Sequence, residues 1–315
     1  MTRPVVLLYE SMHKDAIELL RTKCEVRFAT SLDEEQLIHD VQDVDGIIIR
    51  ANGMVSRRLM EHAPRLKVVA RHGAGIEAID LAAAKDRGIV VVNTPDASTE
   101  SVAEHCIGLM IALAKKILPA DRALRKGKWD ARYELTGNEL LAKSLGLVGF
   151  GRIGQRVAEI AVKAFQMKAA YSDIVPYPNA EATLNARRLT LDELLSRVDF
   201  VSVHVPYLPT THGLIGAREL ACMKRSAYLI NTARGAVVDE AALLSALQEH
   251  RIAGAALDVF ASEPIARTSP LLSVENVIVS PHMASHTEEA LRRMAMVVED
   301  VMRVLDGQAP TFPVC

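Results

Sequence analysis

The chain has 315 residues, half of them hydrophobic and 24% charged, the mix of a soluble globular protein with enough core for about two domains. Its 37 basic and 39 acidic residues leave a net charge of −2 and are spread along the chain, so neither nucleic acid nor an anionic membrane is expected as a partner. The four cysteines (Cys24, Cys106, Cys222, Cys315) lie far apart without a C-x-x-C pair. That spacing argues for reduced thiols in a cytoplasmic protein, against a disulfide frame and against a zinc site. Residues 1–10 read as a strand rather than a secretion signal, and the longest apolar stretch, 106–114, is too short to span a bilayer.

Taken in chain order, short β-branched runs alternate with helical patterns. Strands are expected at 5–9, 26–29, 46–50, 68–71 and 89–93, with helices at 15–21, 33–41 and 80–87 between them. Fully apolar strands separated by crossover helices predict a parallel sheet covered on both faces. Asp96, Ala97 and Ser98 then form a cap and hinge into one long helical pattern, 100–125, bent near Pro119. A second α/β series follows, with strands at 145–149, 169–172, 200–205, 228–231, 255–259 and 277–280. The last helix, 287–305, is expected to cross back onto the first sheet. The expected fold is therefore α/β with two doubly wound parallel-sheet lobes and a ligand cleft between them. Residues 1–97 plus 288–315 would form a discontinuous substrate domain, and residues 98–287 a Rossmann domain.

The stretch LGLVGFGRIGQRVAEIA places Gly149, Gly151 and Gly154 between a buried strand and an amphipathic helix. That context suits a dinucleotide pyrophosphate: one glycine for the turn, one for close backbone approach and one for helix–strand packing. Arg152 and Ile153 lie inside the same loop as further candidate contacts. Asp173 ends the next strand at about the 20-residue spacing of a ribose-binding acid, which favours NAD over NADP.

Three later strands end in polar groups on the same carboxyl-end rim: Arg234, then Asp258 and Glu263, then His282. An arginine fork suits a carboxylate and polarises an adjacent carbonyl. A histidine oriented by a carboxylate can give a proton to the oxygen of a reduced 2-oxo acid and take it back. No metal is required. His282 and His286 have helical zinc-pair spacing, but the intervening glutamate is missing and Pro281 opposes a helix there.

NTARG, LDVF-x-x-EP and SPH at these intervals resemble the D-isomer-specific 2-hydroxyacid dehydrogenases over essentially the whole chain. The resemblance implies NAD as cofactor and Arg234 as substrate-binding residue. It further implies Glu263 as partner of the histidine and His282 as acid/base. Asp258 would hold the nicotinamide carboxamide. Thr232, Ala233, His204, Val205 and Pro206 would contact the cofactor, as would Thr99 or Ser101. The backbone of Gly73, Ala74 and Gly75 would receive the substrate carboxylate, with Arg50 also near substrate, and a homodimer is expected. Two departures stand out: Ala51 after Arg50, where serine would support a phosphate site, and MASHT after His282, where glycine is frequent. The chain ends just past its returning helix, so no regulatory domain is expected. The reading is reduction of glyoxylate, hydroxypyruvate or a similar short 2-oxo acid. Phosphoglycerate oxidation is the rival within the class, and a NAD-sensing corepressor-like binding protein the rival outside it.

Overall fold

The computed structural model describes residues 3–315. Two compact units emerge: one runs up to Ser98 and resumes at His286–Cys315, the other is Thr99–Ser285. The first contains β1 (Val5–Leu8), α1 (Lys14–Lys23), β2 (Glu25–Phe28), α2 (Glu34–Asp40), β3 (Gly46–Ile49), α3 (Arg57–Glu61), β4 (Val68–Arg71), α4 (Leu81–Asp86) and β5 (Val90–Val92). These strands pair with one another in parallel, in the order β2-β1-β3-β4-β5, the flavodoxin-like order. Because side chains alternate along a strand, Val5, Leu7, Ile47, Ile49, Val69 and Val91 share one core with the α2–α4 side. Val6, Leu8, Ile48, Val68, Ala70 and Val92 share the other. Asp33, Ser56 and Asp80 cap the three short helices by accepting from backbone N–H groups, which explains their starts.

The second unit holds α5 (Thr99–Ala114), α6 (Ile117–Arg125), β6 (Ser144–Val148), α7 (Arg152–Phe165), β7 (Lys168–Ser172), α8 (Pro178–Leu184), β8 (Arg187–Arg188), α9 (Leu191–Arg197), β9 (Phe200–Val203), α10 (Ala217–Cys222), β10 (Tyr228–Asn231), α11 (Glu240–Gln248), β11 (Gly254–Leu257) and β12 (Val277–Val279). Its parallel sheet runs β12-β11-β10-β9-β6-β7-β8. Leu145, Leu147, Phe200 and Ile230 face α5 and α7, while Val148, Val201, Val203 and Leu229 face the α9–α11 side. After Ser285 the chain forms α12 (Glu288–Ala295) and α13 (Val297–Leu305). Ala295, Val297, Val298 and Val301 close the second core of the first sheet.

Both long helical patterns are broken where the sequence did not show it. The break expected near Pro119 falls at Lys116, which adopts a left-handed conformation. Pro119 lies in the first turn of α6, where a missing N–H costs nothing. The returning helix divides at Met296. The two-residue β8 was not expected either. Among the described residues no helix is long and apolar enough to cross a membrane, and all four cysteines are free.

Candidate active site

From β6 the chain proceeds outward through β7 and β8, then returns to β9 on the opposite side of β6. The connections leaving β6 and β9 diverge, opening a crevice above their carboxyl ends, the usual ligand position in such a sheet. Three glycines shape it, each differently. Gly149 has φ +92, and a Cβ there would lie 2.8 Å from the His204 carbonyl carbon. At Gly154 a Cβ would meet the Gly149 carbonyl oxygen at 2.5 Å. Gly151 is the opposite case: a Cβ would meet nothing within 4 Å, and no side chain caps the N-terminus of α7 that starts there. The N–H groups of the first turn of α7 and the positive end of its dipole face this open position, so the turn fits a pyrophosphate. Arg152 opens α7. Ile153 packs its side chain on the core, leaving its backbone for any ligand contact. Thr99, at the start of α5, borders a recess shared with Arg152 and Gln155.

Asp173 does more than end a strand. Its Oδ2 accepts from the Phe150 N–H at 2.7 Å and its Oδ1 from the Val175 N–H at 3.0 Å. The carboxylate therefore ties the glycine turn to the turn after β7, while each oxygen retains a further acceptor position. Across the crevice His204 donates its backbone N–H to Val148 O at 2.7 Å. Its Nε2 lies 2.8 Å from Ser202 Oγ. Burial pushes the imidazole pKa down to about 3, so this ring is neutral near pH 7 and unsuited to proton donation. Val205 packs on the core, and Pro206 is exposed.

The strands β10, β11 and β12 are adjacent and parallel, so their carboxyl ends form one rim. After β10, Asn231 braces the loop: its Oδ1 accepts from the Ala233 N–H and its Nδ2 donates to Arg234 O, both at 3.0 Å. Arg234 Nη1 donates to Ala233 O at 2.7 Å. A Cβ on Gly235 would fall 1.9 Å from the Phe260 carbonyl carbon, so only glycine lets this loop lie against the one after β11. There the Phe260 N–H donates to Glu263 Oε1 at 2.9 Å, and Glu263 Oε2 lies 2.6 Å from His282 Nδ1. One carboxylate oxygen is thus anchored and the other orients a half-exposed imidazole, leaving Nε2 for a reactant.

Two expected cofactor contacts are differently engaged. Thr232 is buried with its hydroxyl 2.9 Å from Cys106 Sγ, so its side chain is engaged in the core. Asp258, expected to hold a carboxamide, is 0% exposed. It accepts from Ser280 Oγ and from the N–H groups of Met283 and Ala284 at 2.6–2.9 Å. Here it organises the segment carrying His282. Ser280 and the α5 residue His105, which meet this segment, are not marked by the sequence because their partners are remote along the chain, and Ser101, a candidate near the cofactor, here donates to Ala284 O instead.

In the first unit, Gly73 follows β4 at φ +114. Its N–H donates to Thr94 Oγ1 at 3.0 Å and its carbonyl accepts from the Thr94 N–H at 3.1 Å. Asn93 Nδ2 donates to Ala74 O at 2.9 Å. The Gly73 N–H is therefore already engaged, which narrows the expected carboxylate nest to Ala74 and Gly75. Arg50, after β3, donates Nη1 to Ser11 O at 3.0 Å. His72 is buried, and its pKa is lowered to about 4 by burial and by the charges of Arg50 and Arg71.

Residues 107–284 match the family model described as D-isomer specific 2-hydroxyacid dehydrogenase, NAD binding domain. A D-3-phosphoglycerate dehydrogenase of Methanocaldococcus jannaschii is 43% identical over 305 residues, covering 96% of this chain but 58% of that protein. The chain thus spans little more than half the length of that relative. A glyoxylate reductase of Thermofilum pendens is 40% identical over 319 residues, covering 98% of this chain and 94% of that protein. The solved NADPH-dependent glyoxylate/hydroxypyruvate reductase of Sinorhizobium meliloti superposes with a TM-score of 0.89 at 34% identity, covering 100% and 97% of the two chains. With its two α/β sheets, open glycine turn and Glu263–His282 pair, the chain belongs to the D-isomer specific 2-hydroxyacid dehydrogenase family and carries that family's NAD binding domain.

Proposed function

We propose that the protein reduces a short 2-oxo acid, of the glyoxylate or hydroxypyruvate type, to the D-2-hydroxy acid with NADH. The observation that carries this reading is the Glu263–His282 pair on the same sheet edge as the glycine turn. The residues of 149–154 would hold the pyrophosphate and Asp173 the adenosine ribose, where its charge would repel a 2′-phosphate. The nicotinamide, when bound, supplies the hydride. His282 Nε2 gives a proton to the carbonyl oxygen as that oxygen becomes negative, and Glu263 holds the ring's orientation through Nδ1. Arg234 pairs with the substrate carboxylate and draws electron density from the carbonyl. In oxidation the same imidazole removes the hydroxyl proton.

The first unit, with Ala74, Gly75 and Arg50, would supply the substrate pocket, and the second the cofactor site. A homodimer fits the exposed Ile117, Leu118, Leu124, Trp129 and Tyr133 on and after α6, since apolar groups clustered on one surface mark association sites; a monomeric sedimentation coefficient would exclude it. Free thiols suit the cytoplasm.

An NADH-oxidation screen against about twenty 2-oxo acids tests the reading, with His282→Ala as control. The substitution should lower turnover by roughly 10²–10⁴-fold and leave NADH affinity near normal. Retained turnover would remove His282 from its role. The 43% identity to a D-3-phosphoglycerate dehydrogenase favours phosphoglycerate oxidation as second reading, decided by including that substrate. Asp173→Asn should narrow any preference for NADH over NADPH.

A further inference from the structure

His282 sits in an unusual backbone conformation. Its φ is 47°, a left-handed region that a side-chain-bearing residue enters only when its surroundings impose it. The restraint comes from two directions. From β11, the Asp258 carbonyl accepts the His282 N–H at 2.7 Å. The Asp258 carboxylate accepts from the Met283 N–H at 2.9 Å and the Ala284 N–H at 2.8 Å. From α5, two residues one turn apart, and therefore on one helix face, reach the same segment. Ser101 Oγ donates to Ala284 O at 2.8 Å, and His105 Nε2 lies 3.2 Å from Ser280 Oγ.

Hydroxyl valence settles the direction of this last bond. Ser280 has one proton, and its 2.6 Å contact with Asp258 Oδ1 uses it, because a buried carboxylate can only accept. Ser280 therefore accepts from His105, which carries a proton on Nε2. His105 Nε2 also stands 3.7 Å from Asp258 Oδ1. A directional chain results, His105 to Ser280 to Asp258, ending on the carboxylate that accepts the N–H groups of Met283 and Ala284, directly after the left-handed residue. His105 contacts neither His282 nor Glu263 in this network, so its removal deletes no reacting group.

We propose that His105 is a positioning residue, which through Ser280 and Asp258 fixes the left-handed backbone of His282 and so brings its Nδ1 to Glu263. The proposal rests on the assignment of His282 as the acid–base group. Without the His105 donor, the Ser280 hydroxyl is free to turn away from Asp258, and the restraint on 282–284 loosens. A misplaced imidazole reduces turnover while the pyrophosphate turn is untouched.

The test compares His105→Leu, His105→Gln, Ser280→Ala and the double variant His105→Leu/Ser280→Ala with the parent and with His282→Ala. It measures kcat and KM for glyoxylate, the NADH dissociation constant by fluorescence, and the melting temperature. The expected result is a kcat about tenfold lower for His105→Leu, with the NADH constant and the glyoxylate KM changed by less than about threefold. Glutamine, which retains an N–H donor, should recover most of that kcat. Ser280→Ala should match His105→Leu, and the double variant should lose no more than either alone, the signature of one shared network. The proposal is overturned if His105→Leu keeps more than about half of the parental kcat, if glutamine does not recover it, or if the two losses multiply. Should leucine prevent folding, the glutamine and Ser280→Ala variants carry the comparison. Normal turnover in His282→Ala removes the acid–base assignment itself, whereas loss in that variant with full activity in His105→Leu removes only the positioning role.

Discussion

Two glycine turns follow the carboxyl ends of parallel strands, one in each unit, and they are held in opposite ways. The turn after β6 is dictated by packing: added carbons at Gly149 and Gly154 would run into backbone at 2.8 and 2.5 Å, and Gly154 already lies in the first turn of α7. The turn after β4 has no helix directly behind it. A carbon on Gly73 would meet only the flexible Met294 Sδ at 3.4 Å, and the turn is held by its dihedral and by Thr94 on both sides. Tight steric closure suits a ligand with the same diphosphate every time. A turn tied by hydrogen bonds is easier to vary around substrates of different shape.

The comparison breaks most decisively at Gly154. Gly154→Ala should cost about 1–3 kcal/mol of stability, because the Gly149 carbonyl cannot retreat, and should raise the NADH dissociation constant roughly tenfold. A normal constant by fluorescence titration would show that packing does not govern the turn. Gly73→Ala should cost roughly 1–2 kcal/mol through the left-handed dihedral alone. Substrate KM should rise while the NADH constant stays unchanged; parallel changes in both would erase the distinction between the two turns.

The smallest effect concerns pH. Each unit holds one neutral histidine just past a strand, the buried His72 after β4 and the half-buried His204 after β9, with pKa values lowered to about 4 and about 3. The unfolded chain takes up these protons below about 6.5 and the native protein does not. Their contribution is therefore complete above pH 6.5 and declines as pH falls toward 4. Melting temperatures between pH 7 and 4.5 should drop, less steeply in His204→Gln and in His72→Gln. Slopes identical to the parent's would contradict burial as the cause.

Apolar runs and their turn residues made the parallel strands legible, because period and composition are local properties. Lys116 was not legible as a helix break: a left-handed lysine has no compositional mark, whereas Pro119 attracts suspicion and causes no break. At the site, Glu263 and His282 could be paired on paper because each ends a strand on one rim. Asp258 was readable as an acid at a strand end, but its partners at 280–284 return from a later strand. His105 lies more than 150 positions from Ser280, so nothing near it in the chain points to its task.

The second core of the first sheet is completed by Ala295, Val297, Val298 and Val301, which come from the far end of the polypeptide. During synthesis, Ala16, Ile17 and Leu20 of α1 can cover part of this face early, but Val6, Leu8, Ile48, Val68, Ala70 and Val92 leave the ribosome long before α12 and α13 complete the cover. The remainder of the face stays exposed while the whole intervening unit is translated, and that unit has all its own strands in hand first. The strands of the first sheet thus wait for the last of their native neighbours, and the nascent chain needs shielding over that interval.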